Sequence, residues 1–124
     1  EVGTAVLLVP ERHPLHLAKE IASLDAYSGG RLHFGIGAGW NKEEAEILGC
    51  DFEHRWTQVR EAIEVMKACW IEDPSEYHGK YYDFPPLRSH PKPVQRPHPP
   101  IYLGSIMFDD TWAKRVFQRI VRYG

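Results

Sequence analysis

The sequence predicts an α/β fold built on a parallel sheet, and three observations carry that expectation. Residues 4–37 read as strand, helix, strand over a span that fits one right-handed crossover unit. The first of these strands, Thr4 to Val9 (TAVLLV), is a continuous apolar run, the pattern of a strand covered on both faces. A further short strand, Ile101 to Gly104, is again followed by a loop and a helix, so strands and helices alternate along the chain. The 124 residues, 43% hydrophobic and 26% charged, suit a single α/β domain over residues 1–124 with a real core.

Each element has its own signal. The first strand ends at Pro10. Pro14 suits the first turn of a helix, where its missing N–H costs nothing. Leu17, Ala18, Ile21, Ala22 and Leu24 continue that helix, and Ser28-Gly29-Gly30 ends it with glycines able to take the left-handed cap conformation. Leu32, Phe34 and Ile36 mark the second strand, over 31–37. The glycine-rich turn Gly37-Ala38-Gly39-Trp40-Asn41 leads into a polar helix, Lys42 to Leu48, stopped by Gly49. A longer helix runs from about Glu53 to Trp70, with Trp56, Val59, Ile63, Met66 and Trp70 as one apolar stripe expected in the core. Asp73-Pro74 breaks it. Glu76 to Tyr82 reads as a small hairpin with His78-Gly79 at the turn. Seven of the ten prolines fall between Pro85 and Pro100, which predicts an extended, irregular connector. A final helix from Thr111 to about Tyr123, capped by Asp109 or Asp110, has an apolar face of Trp112, Val116, Phe117, Ile120 and Val121. Lys114, Arg115, Arg119 and Arg122 fill its other faces.

Composition excludes several classes. A formal net charge of −2 lacks the basic excess of a nucleic-acid-binding domain. No apolar run approaches the ~20 residues that span a bilayer, and no signal peptide is visible, so no membrane partner is expected. Two cysteines, Cys50 and Cys69, are too few for a disulfide framework; a reducing, cytoplasmic setting follows.

In parallel α/β folds, ligands sit at the carboxyl ends of strands. Three such ends are expected here. The first carries Pro10, Glu11, Arg12 and His13. The second carries Gly37, Ala38, Gly39, Trp40 and Asn41, and the third Gly104, Ser105 and Ile106. Glycines at these ends would let a ligand approach the backbone. Gly35-x-Gly37-x-Gly39 has the wrong spacing for a dinucleotide fingerprint and lacks the Lys-Ser/Thr of a phosphate loop. Seven histidines form no HExxH or Cys/His pattern, so no metal site is predicted. Glu11-Arg12-His13 fits either acid–base chemistry or helix capping. Neither cysteine has an activating neighbour in the sequence, and both are expected to be inert. No catalytic residue is singled out.

Taken together, TAVLLVPERHPLHLAKEIASLDAYSGGR, LHFGIGAGWNKEE, GCDFEHR, YHGKYYDFPPL and PKPVQRPHPPIYLGS resemble, in order and spacing, the luciferase-like monooxygenases, the bacterial-luciferase group of flavin and deazaflavin enzymes. The resemblance covers roughly residues 3–108 and corresponds to the third to fifth βα units of that family's (β/α)8 barrel. It implies a partial TIM-barrel segment with about three parallel strands, flanking helices and a small hairpin insertion. It also implies cofactor-binding roles. Ala5 and Val6 match a position where the family often has a non-prolyl cis peptide against the flavin ring. Gly37, Ala38, Gly39 and Trp40 match the loop beside the flavin. Gly104 and Ser105 match the strand end where relatives hold the cofactor phosphate or linker through backbone groups. Some relatives carry a carboxylate proton donor at the position of Trp40, which a tryptophan does not replace. The last helix also departs from the family, whose residues there are smaller.

The implied function is that of a flavin-dependent oxidoreductase or monooxygenase, with FMN or a deazaflavin as cofactor and a small organic molecule as substrate. The alternative is a non-catalytic oligomeric or ligand-binding unit derived from such an enzyme. Three parallel strands leave open sheet edges, so a homo-oligomer is expected.

Overall fold

The structure is a computed structural model that describes residues 1–105 and 110–123. The central strand β3, Leu32–Gly37, is the scaffold for the others. β1 (Val2–Gly3) and β2 (Leu7–Leu8) lie along one edge of it, and β6 (Ile101–Leu103) lies along the other, all parallel. The expected parallel sheet of three chain paths is therefore present.

The first strand is not the continuous run expected over Thr4–Val9. Its pairing with β3 lapses between Gly3 and Leu7, where the Ala5–Val6 peptide is cis. Thr4 keeps the segment attached: its N–H donates to the His33 carbonyl, and its hydroxyl donates to the Gly35 carbonyl at 2.6 Å. At the other end, Val9–Glu11 forms a 3-10 turn instead of strand, because Pro10 holds its φ near the helical value and ends the ladder.

Helix α1 (Pro14–Tyr27) starts on Pro14 and closes through Gly29 and Gly30, both at positive φ. Their N–H groups donate to the carbonyls of Ala26 and Asp25. Helix α2 (Lys42–Ile47) is capped by Asn41 and followed by Gly49 at φ 81°. Helix α3 (Arg55–Ile71) follows a 3-10 turn capped by Asp51, whose carboxylate accepts from the His54 N–H. Its stripe behaves as expected: Val59, Ile63, Met66 and Trp70 are buried and Trp56 is half-buried. These side chains join Leu17, Ile21, Leu32, Phe34 and Ile36 in one core between α1, α3 and β3. The Trp70 indole N–H donates to the Ala18 carbonyl at 2.9 Å, which locks α3 to α1.

The hairpin is longer than expected. β4 (Ser75–His78) pairs antiparallel with β5 (Asp83–Leu87), so the turn lies at 79–82 and Pro85 and Pro86 belong to a strand. A strand on the edge of a two-stranded sheet tolerates prolines because one side needs no donors. The turn is placed by α3: the buried Glu61 carboxylate accepts from the N–H groups of Lys80 and Tyr81. The connector beyond is irregular, as expected, and is held by buried Asp25, which accepts from Val94 N, Gln95 N and Gln95 Nε2.

Helix α4 (Asp110–Tyr123) forms, but its apolar face is not packed as a whole. Val116 is buried, whereas Phe117, Ile120 and Val121 are exposed. The Asp109 cap and the side chains of Asp110 and Trp112 lie outside the described structure. No helix among the described residues is long and apolar enough to cross a membrane.

Candidate functional site

The carboxyl ends of β2, β3 and β6 converge on one cavity of about 310 Å³. Its wall is made by Val6, Leu8, Gly37, Ala38, Gly39, Trp40, Arg55, Trp56, Gly104 and Ser105. Seven of the eight residues singled out in the sequence therefore meet here. The eighth, Ala5, lines the neighbouring groove with Thr4, Glu11 and Arg12, and reaches the cavity only through the peptide it shares with Val6. Ile106 lies outside the described residues.

The glycines at this end have a specific steric role. A Cβ on Gly37 would stand 2.9 Å from Val6 Cγ2, and one on Gly104 would stand 2.6 Å from Val6 Cγ1. Both glycines thus make room for the side chain that the Ala5–Val6 bulge pushes across the sheet. The group these two glycines admit directly is Val6. Gly39 is different. Its φ of 80° is a left-handed conformation that turns the chain from β3 toward Trp40.

Three lining residues were not singled out from the sequence. Leu8 is the inward end of β2. Arg55 and Trp56 open α3. Trp56 reads locally as one more member of the core stripe, and Arg55 lies inside the GCDFEHR segment with no spacing that sets it apart. Only the fold brings the start of α3 beside the end of β3. There the Arg55 Nε donates to the Gly39 carbonyl at 3.1 Å, and Nη1 donates to the Phe52 carbonyl at 2.9 Å. Its guanidinium also lies 4.0 Å from the Phe52 ring centre, so the cation is held in place by both sides.

The cavity is apolar apart from Arg55 and Ser105. Val6 and Trp40 are unusually open for large apolar side chains, at 45% and 79% exposure. Behind Gly39, a Glu11 carboxylate oxygen is buried with no hydrogen-bond partner among the described residues. Burial, and next the charge of Glu44, push the Glu11 carboxyl above its usual range. His13 caps α1: its Nδ1 accepts from the Leu15 N–H. Of the two readings of Glu11-Arg12-His13, capping is the one the fold uses at His13. Cys50 and Cys69 are buried, and burial raises both thiols, which suits inert side chains. Among the described residues, no group of three or more His, Cys, Asp or Glu side chains is placed to hold a metal ion.

A parallel sheet whose strand ends frame an apolar, cation-edged cavity defines an α/β protein of the barrel type. More specifically, the chain belongs to the luciferase-like monooxygenase family, whose model matches residues 1–111. An uncharacterised protein of Mycobacterium tuberculosis is 42% identical over 104 residues, covering 84% of this chain and 36% of that protein. The FMNH2-dependent dimethylsulfone monooxygenase of Pseudomonas putida is 34% identical over 103 residues, covering 81% of this chain and 28% of the enzyme. The coenzyme F420-dependent tetrahydromethanopterin reductase of Methanopyrus kandleri superposes with a TM-score of 0.72 at 29% identity, over 85% of this chain and 34% of the reductase. The chain thus spans about a third of the length of the proteins it matches. Its α/β fold is a segment of the family's TIM barrel.

Proposed function

We propose that this chain contributes the flavin-facing segment of an oxidoreductase, and that the cavity at the ends of β2, β3 and β6 holds the ring of FMN or a deazaflavin. The observation that carries the reading is the convergence of the cis Ala5–Val6 bulge, the Gly37–Trp40 turn and the Gly104–Ser105 strand end on one apolar cavity with a fixed cation at its edge. A flat ring with an anionic tail suits that division of the lining. Val6, Leu8, Trp40 and Trp56 would bind the ring and exclude water from one of its faces, with Ala5 setting the path of the bulge. Arg55 would face the anionic part of the cofactor, alongside the backbone of Gly104 and Ser105. A flavin-type group supplies the hydride or oxygen chemistry, and the protein's share is orientation and a water-poor setting. The names of two relatives carry FMNH2 and F420, which supports a flavin-type cofactor and leaves both forms in the proposal. The substrate is a small organic molecule.

The same reading places the chain in a reducing cytoplasm, consistent with two buried, unpaired cysteines. It also makes the working form a homo-oligomer, because β6 and the exposed side of α4 offer unpartnered surface.

Fluorescence titration with FMN and with a deazaflavin tests the cofactor reading. Saturable binding is expected for at least one of them, weakened roughly tenfold by Trp40→Ala through loss of aromatic contact. No binding of either at high micromolar concentration would leave the chain as a non-catalytic unit derived from such an enzyme.

A further inference from the structure

A second cavity, of about 280 Å³, lies between the start of α3 and the length of α4. Leu103 of β6 forms its floor, beside Val59 and the ring of Trp56. Its polar wall carries four guanidinium groups, from Arg60, Arg115, Arg119 and Arg122, with the neutral donors Thr57 and Gln118. Among the described residues, no Asp or Glu belongs to that lining.

We propose that this cavity is a binding site for a phosphate monoester, separate from the cavity at the strand ends. The spacing of 115, 119 and 122 puts three arginines on one face of α4, at i, i+4 and i+7. Like charges so placed repel one another, a repulsion that an added anion would relieve. The α3 side adds Arg60, whose charge is shared with Glu61 at 3.6 Å and Glu64 at 4.0 Å. Arg119 is fixed over the Trp56 ring, 4.2 Å from its centre. Burial, then the charges of Arg115 and Arg55, weaken the hold of the Arg119 guanidinium on its proton, as expected where several cations crowd a partly dry space. Lys67 donates to the Tyr123 carbonyl, which closes the far end of the gap between the helices. The chain as a whole is slightly acidic, with a net charge of −2, so this local excess of cations is not a general property of its surface.

Phosphate suits the site better than a carboxylate. Guanidinium forks on two facing helices can serve a dianion with three terminal oxygens, whereas one fork already saturates a carboxylate. Leu103, Val59 and Trp56 give the rest of an organic phosphate an apolar surface. The phosphate has two possible sources: a free phosphate ester, or the phosphate of a flavin nucleotide seated in the neighbouring cavity, since Trp56 borders both.

Calorimetric titration of the whole chain with inorganic phosphate, at constant ionic strength held with chloride, tests the site without any flavin. Three proteins are compared: wild type, the double variant Arg115→Gln/Arg122→Gln, and Lys114→Gln, which removes a cation of α4 outside the cavity lining. Circular dichroism checks that helix content is equal. Saturable binding is expected for wild type and K114Q, and about tenfold weaker binding for the double variant. Absence of saturable binding to wild type, or equal binding by all three proteins, would overturn the proposal. Given the expected result, FMN and riboflavin identify the source. A loss of FMN affinity in the double variant without loss of riboflavin affinity assigns the phosphate to the cofactor. Unchanged affinity for both assigns it to a separate phosphate ester. Failure of flavin binding with phosphate binding intact would remove the function proposed above and leave this site standing.

Discussion

At the scale of single residues, the site is organised around Val6. Its side chain passes over β3 and β6 close enough that neither Gly37 nor Gly104 has room for a methyl group. Gly104→Ala is therefore expected to destabilise the fold by about 1–3 kcal/mol, the usual penalty for forcing an extra carbon into a packed position. Val6→Ala in the same chain should recover most of that loss, because it removes the Cγ1 atom that the new Cβ meets at 2.6 Å. Urea denaturation of the two single variants and the double variant measures the coupling. Simple additivity of the two effects would contradict the steric account. The cluster Gly35, Gly37, Gly39 was legible in the sequence, and so was its place at a strand end. The use of each glycine was not: the atoms that exclude a side chain at Gly37 come from residue 6, and no local pattern ties those two positions together.

At the scale of elements, local signals located helices and long-range contacts decided the rest. The stripe from Trp56 to Trp70 was legible because helix periodicity is written in neighbouring residues. The hairpin was legible only in outline. Its turn falls at 79–82 because a carboxylate from α3, Glu61, holds the N–H groups of Lys80 and Tyr81. That contact spans about twenty positions of sequence. The apolar face of α4 was legible as a pattern, yet only Val116 of its described residues is buried, since a pattern states what a helix can bury and not what stands opposite. The hairpin also carries a pH response. His78 and Asp83 are cross-strand partners, and the hydrogen bond to Asp83 raises the His78 pKa above its ordinary 6.5, with Glu76 adding to it. A histidine whose folded pKa is raised adds stability that is complete below the unfolded value and disappears as pH rises through the folded value. Hydrogen-exchange protection of β4 and β5, corrected for the intrinsic pH dependence of exchange, should therefore decline as pH climbs from about 6.5 past the His78 titration. Asp83→Asn should weaken that decline and bring the His78 pKa down toward its ordinary value by NMR, with Glu76 keeping the smaller share of the shift. A His78 pKa at or below 6.5 in the wild type would refute the pairing.

At the scale of the whole molecule, the balance between covered and open surface is uneven. One side of the sheet is sealed by α1 and α3 around a dry core that includes Leu17, Phe34, Met66 and Trp70. Elsewhere large apolar groups stand open: Tyr27 at 90%, Ile47 at 84% and Val121 at 87% exposure. β6 pairs with β3 alone among the described strands, so its second edge presents unpaired donors and acceptors. An edge strand next to an amphipathic helix with Phe117, Ile120 and Val121 facing outward is self-complementary in chemistry, and a second copy of the chain can satisfy both features across a two-fold axis. Light scattering after size exclusion is accordingly expected to give twice the 14.3 kDa of one chain. Phe117→Lys together with Val121→Lys should shift the protein toward the single-chain mass while leaving helix content unchanged, since neither side chain lies in the core. A wild-type protein that keeps the single-chain mass at high concentration would refute the oligomer. A dimer unaffected by the two lysines would move the interface from α4 to the free edge of β6.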